Sequence, residues 1–172
     1  ENVTAYNIAY KYFNILNMAM MIIVTPFWSA CADAYTKKDF LWMKNVIEKM
    51  EMIWKLSICV LIIMILVSST FYDIWVGDSV KISLSLSVMV GVYILVQNLC
   101  GIYIYMINGT SKIRLQLVVY LVSAFISVPT MYFLCSKYGI TVMLLLPISV
   151  CLIPAFVAKK QLTNIIRGTA SG

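Results

Sequence analysis

Histidine is absent from this sequence, and charge is scarce: Lys, Arg, Asp and Glu together make up 12% of 172 residues, with only seven acids among them. The lack of His removes the commonest general base and the commonest metal ligand in one step. No metal, no cofactor and no catalytic residue is therefore expected, and the chain is not expected to be an enzyme. Soluble domains carry about a quarter of their residues as charges, so this chain has too few to coat a water-facing surface. Disulfide chemistry is also poorly supported. The five cysteines are odd in number and form no CxxC, and Cys31, Cys59, Cys100, Cys135 and Cys151 all fall in or near apolar runs. They are expected to act as small buried hydrophobes. An initiator Met and a signal-peptide pattern are lacking as well,.

What is present is apolar: 62% of the residues are hydrophobic and the mean hydropathy is +0.92. Residues 12–32, 56–72, 82–111, 115–136 and 138–158 contain no charged side chain. A helix needs about 20 apolar residues to cross the hydrocarbon core of a bilayer. Backbone amides find no water there, so each crossing must be a helix or part of a closed barrel. Barrel strands would be about ten residues long and alternate in polarity, unlike these runs. The predicted fold class is all-α: a polytopic integral membrane helical bundle of five transmembrane helices plus an amphipathic interfacial helical segment. The spans are expected at about 3–35, 52–72, 82–107, 113–135 and 139–158, with the amphipathic cytoplasmic segment at 37–51.

Positive charge orients the bundle. Lys37, Lys38, Lys44, Lys49, Lys55, Lys112, Arg114, Lys159, Lys160 and Arg167 fall in alternate connections and after the last span, against Lys11, Lys81 and Lys137 on the other side. By the positive-inside rule this puts the basic connections and the C-terminus in the cytoplasm and the N-terminus outside. An outside N-terminus leads to the expectation that further spans precede residue 1. The net charge of +6 is accounted for by topology, so no nucleic-acid partner is expected.

Two spans carry polar stripes. On the first, Asn7, Lys11, Asn14, Thr25 and Ser29 cluster at helical spacing with Tyr10 and Asn17 at the edge, while Ala9, Phe13, Leu16, Met20, Ile23 and Phe27 lie opposite,. Each such polar group costs free energy against lipid, so the stripe should face a wet cavity or a partner helix. Lys11 either snorkels to the headgroups or presents its cation to an anion in that cavity. On the third span Tyr93, Gln97, Gly101, Tyr105 and Asn108 share a face, with Asn98 flanking. Gly91 and Gly101 there also suit close helix packing. The substrate-cavity candidates are thus Asn7, Lys11, Asn14, Asn17, Tyr93, Gln97 and Asn98.

Other features are local. Thr36 and Asp39 have the spacing of a capping box with Asp in place of Glu. Phe40, Met43, Val46, Ile47 and Met50 form one side of the next segment, with Lys44, Glu48, Glu51 and Lys55 on another. Asn108-Gly109-Thr110 has the composition of a turn. Pro26, Pro129, Pro147 and Pro154 lie in three of the five predicted spans and suggest bent or broken helices, with Pro26 the hinge candidate.

The order of several short stretches resembles a known family. Tyr6-Asn7-Ile8-Ala9-Tyr10-Lys11-Tyr12-Phe13, then Thr25-Pro26-Phe27-Trp28-Ser29-Ala30 and Asp33-Ala34-Tyr35-Thr36-Lys37-Lys38-Asp39, then Trp75-Val76-Gly77, and finally Asn108-Gly109 with Lys112-Ile113 and Gln116, is similar to the C-terminal lobe of the Wzx-type O-antigen and capsular polysaccharide flippases. These belong to the multidrug, oligosaccharidyl-lipid and polysaccharide exporter superfamily. The resemblance covers nearly the whole chain. It implies two bundles of about six helices around a central cavity, of which this chain looks like helices eight to twelve, with an N-terminal lobe of the same polypeptide as its partner. It further implies a bacterial inner-membrane protein that moves an undecaprenyl-diphosphate-linked oligosaccharide from the cytoplasmic to the periplasmic leaflet by alternating access. Membrane lipids are the other implied partners. A multidrug or toxin antiporter of the same superfamily would favour an acid in mid-span, and none is present. A membrane-bound transferase would favour His or paired acids, and a non-catalytic structural subunit would have no need of two polar stripes.

Overall fold

The computed structural model describes residues 2–77, 80–135 and 144–170. The described residues form five helices and no strand: α1 (Asn2–Thr36), α2 (Phe40–Val76), α3 (Leu84–Gly109), α4 (Arg114–Cys135) and α5 (Leu145–Ala170). Stretches of α1, α2, α3 and α5 are long and apolar enough to cross a membrane, whereas α4 offers the shorter apolar stretch Arg114–Thr130. The all-α membrane bundle expected from composition is therefore present.

The apolar residues that a soluble protein would bury are largely on the outside. Leu56, Ile63 and Leu66 on α2, and Leu117, Phe125 and Val128 on α4, are exposed. Such a belt suits contact with acyl chains. Hydroxyls within the spans are satisfied locally: Ser57 donates to the Trp54 carbonyl at 2.7 Å and Ser68 to that of Ile65 at 2.7 Å.

α3 is the central helix, packed against α1, α2 and α5, and α4 packs on α5. Met21 faces Gly101 and Cys31 faces Gly109, so α1 and α3 run parallel. The Trp54 indole N–H donates to the Leu95 carbonyl at 2.8 Å, while Glu51 reaches Tyr103, so α2 runs antiparallel to α3. Two clusters fill the core. One joins Phe13, Leu16, Leu61, Val90 and Ile94. The other joins Val24, Met43, Ile102, Met106 and Leu162.

Glycine permits the tightest approach. A Cβ on Gly109 would lie 2.9 Å from the Trp28 carbonyl oxygen and 3.1 Å from the Ala32 nitrogen. Gly109 is thus the last residue of α3, pressed on the α1 backbone, and the turn expected at Asn108-Gly109-Thr110 begins one residue later. Thr110 caps the helix and Ser111 adopts φ 57°.

Several local expectations are corrected. Thr36 does not cap α2. Its hydroxyl donates back to the Asp33 carbonyl at 2.7 Å, and Asp39 is the N-cap, accepting from the Trp42 N–H at 3.0 Å. The reason is that Lys38 takes a left-handed φ of 58°. With Asp39 N–H bonded to Ala34 O at 2.9 Å and Lys38 N–H to Tyr35 O at 3.2 Å, α1 ends in a Schellman motif, which pushes the next helix start beyond Thr36. The amphipathic segment at 37–51 forms the first turns of α2, with Met43, Val46 and Met50 buried in the core. The prolines break no helix: Pro26, Pro129 and Pro154 lie inside continuous helices, and Pro147 is in the first turns of α5, where no N–H bond is lost. α5 continues well past residue 158, and the stretch 136–143, including Lys137 and the expected start of the last span, lies outside the described residues. Cys31 and Cys100 are buried as expected, but Cys59 is exposed on α2.

Candidate functional site

The polar stripe of α1 is only partly covered by the other helices. Ala9, Phe13, Leu16 and Met20 point into the core as expected, whereas Asn7, Lys11, Thr25 and Ser29 are exposed. Ile23, expected with the core residues, is partly exposed, and Val24 takes the buried position. The chain's own helices thus leave these four residues uncovered. Lys11 has no carboxylate partner among the described residues. Thr25 satisfies itself by donating to the Met21 carbonyl at 2.6 Å, and Ser29 donates to that of Pro26 at 3.1 Å. Pro26 is exposed on the same helix.

Deeper along the stripe the polar groups approach α3. The Asn17 amide donates to Asn14 Oδ1 at 3.1 Å, and both residues are half-buried. Among the described residues Asn17 Oδ1 is buried without a partner, as is Gln97 Oε1. The packing of Met21 on Gly101 sets the register, so that Asn17 and Gln97, each four residues earlier, lie at the same level of the α1–α3 seam. Tyr93, one turn before Gln97, is half-buried and lies near Tyr6 and Tyr10 of α1 and Cys151 of α5. The Tyr6 and Tyr10 rings lie 5.9 Å apart. The structure therefore brings Asn14, Asn17, Tyr93 and Gln97 to one seam, with Asn7 and Lys11 on the exposed surface beyond it.

Asn98 lies elsewhere. It is 1% exposed, and neither its Nδ2 nor its Oδ1 has a partner among the described residues. One residue along a helix is a turn of about 100°, enough to carry Asn98 from the seam into the sealed core.

A second polar cluster escaped the sequence. Glu51 Oε1 accepts a 2.6 Å hydrogen bond from the Tyr103 hydroxyl and lies 3.0 Å from Lys159 Nζ. Lys159 in turn stands 5.6 Å from the centre of the Tyr103 ring. One carboxylate thereby ties α2, α3 and α5 at the basic end of the bundle. Lys112 from the α3–α4 connection stands 5.6 Å from the Tyr35 ring centre at the end of α1, and its carbonyl accepts from the Gln161 amide at 2.7 Å. The basic connections expected on one side thus meet at one end. No periodicity could reveal these partners, because they are far apart in sequence.

No family model, no curated protein and no solved structure matches this chain. A span with an uncovered amide-and-ammonium face can hydrogen-bond hydroxyls and pair with an anion within the depth of a membrane.

Proposed function

We propose that this chain is part of a membrane transporter that carries an undecaprenyl-diphosphate-linked oligosaccharide from the cytoplasmic to the periplasmic leaflet of a bacterial inner membrane by alternating access. The observation that carries the reading is the row of exposed Asn7 and Lys11 beside half-buried Asn14 on a helix long and apolar enough to span a bilayer. Lys11 sits at the edge of the uncharged run, where its ammonium can reach an anion held in a wet cavity at little cost. Sugar hydroxyls match the amides and the diphosphate matches Lys11. A further lobe of the same polypeptide would form the opposite wall. The positive-inside rule puts the end bearing Lys112, Lys159 and Arg167 in the cytoplasm. The family resemblance of the α1 and α3 stretches points the same way. No bond is made or broken, so no catalytic group is required.

The test is a leaflet-specific assay of fluorescent lipid-linked oligosaccharide in vesicles containing the full-length protein. Lys11→Ala and Asn14→Leu are expected to slow transfer at least tenfold while the protein stays folded. Unchanged transfer in both variants removes the cavity reading. Transport of a small organic cation instead of the lipid-linked glycan would assign the antiporter activity.

A further inference from the structure

We propose that the seam between α4 and α5 is a binding site for one anionic glycerophospholipid of the bilayer, with its headgroup phosphate against Lys112 and Lys160 and an acyl chain along the α4–α5 groove. Two cavities stack along this antiparallel pair. The upper, of about 700 Å³, is lined by Lys112, Lys160, Asn164, Leu115 and Phe156. The lower, of about 340 Å³, is lined mainly by Val118, Val122, Ile126, Val150 and Ile153. Both helices contribute to each, and the polar end coincides with the basic end of the bundle. The order from cationic to apolar follows the order of a phospholipid from headgroup to tail.

Charge distinguishes this groove from its neighbour. The cavity on the other side of α5, about 320 Å³, also holds the cations Lys44, Lys159 and Arg167, but Glu48 and Glu51 line it too, and two of those lysines are paired with these carboxylates. No acid lines the α4–α5 groove, and neither Lys112 nor Lys160 pairs with a carboxylate among the described residues. The Tyr35 ring beneath Lys112 holds that ammonium in place without neutralising it,. Lysines at this level attract an anionic headgroup, while their stems and the valine wall below cover its apolar portion. No residue of the α1 stripe lines the groove.

Native mass spectrometry of the purified full chain titrated with dioleoylphosphatidylglycerol tests the site. One lipid is expected to be retained, and dioleoylphosphatidylcholine is expected to bind at least tenfold more weakly. Lys112→Gln and Lys160→Gln are each expected to weaken retention roughly fivefold, from the contribution of one lysine to anionic-lipid attraction. Lys44→Gln, outside the groove, leaves it unchanged. Val122→Trp fills the apolar part at an exposed position without altering charge and is expected to weaken binding of both lipids. Equal retention of the two lipids, or full retention by the Lys112→Gln/Lys160→Gln double variant, overturns the proposal. Displacement of the lipid by millimolar inorganic phosphate would also overturn it, since a site for headgroup and chain together holds the lipid against a free anion.

Discussion

Gly109 rests against Trp28 so closely that a methyl group on its α-carbon would stand 2.9 Å from the Trp28 carbonyl oxygen. A backbone oxygen in the middle of a helix cannot swing aside as a side chain can. Gly109→Ala is therefore expected to separate α1 from α3 and to cost about 1–3 kcal/mol. Gly101→Ala should cost much less, because its Cβ would meet only the flexible Met21 terminal methyl at 3.1 Å. Comparing the thermal midpoints of the two variants in detergent checks this, and equal losses would refute the argument from backbone proximity.

Lys38 occupies the left-handed position that ends α1, where a side chain costs roughly 1–2 kcal/mol and glycine is the usual solution. Lys38→Gly is expected to raise stability by about 0.5–1 kcal/mol, the conformational gain being partly offset by a freer unfolded chain. Lys38→Val is expected to lower it. Denaturation of both variants measures the difference.

The Glu51 cluster divides unequally. The Tyr103 hydroxyl is a short, charge-assisted donor, and Tyr103→Phe is expected to cost about 1.5 kcal/mol. Lys159 is 54% exposed at its side chain, so Lys159→Met is expected to cost below about 1 kcal/mol, and that contribution should fade in 1 M salt while the tyrosine's persists. Melting curves at low and high salt separate the two contributions.

Asn98 has neither amide atom satisfied and almost no access to solvent. Replacing a buried unpartnered amide with an apolar group of similar shape removes a penalty of about 1–3 kcal/mol. Asn98→Leu is thus expected to stabilise the bundle.

Where the sequence could be read, physics explains why. Lys81 and Lys112, and Arg114 and Lys137 bound runs whose helices, α3 and α4, lie close to the expected limits, because a charge is excluded from mid-bilayer. α1, α2 and α5 run beyond their uncharged stretches, since the absence of charge measures the membrane and not the helix. Phe13, Leu16 and Met20 fell on the buried face because helical periodicity is local. The role of Gly109 was not legible: a glycine before a threonine carries the same composition whether it turns the chain or admits a neighbouring backbone. Thr36 and Asp39 were both plausible caps, and the left-handed Lys38 between them decided the matter. In the candidate site, the exposure of Asn7 and Lys11 followed from the stripe, while the burial of Asn98 depended on tertiary packing around α3.

α4 leans on α5 and touches α3 through Tyr120, whose hydroxyl stands 3.7 Å from Cys100 Sγ. Every other helix shares the central packing around α3. The bundle consequently has one loosely moored member. Amide protons along α4 should exchange faster than those of α3 at equal depth, as the outer helix swings free while the remaining four stay assembled.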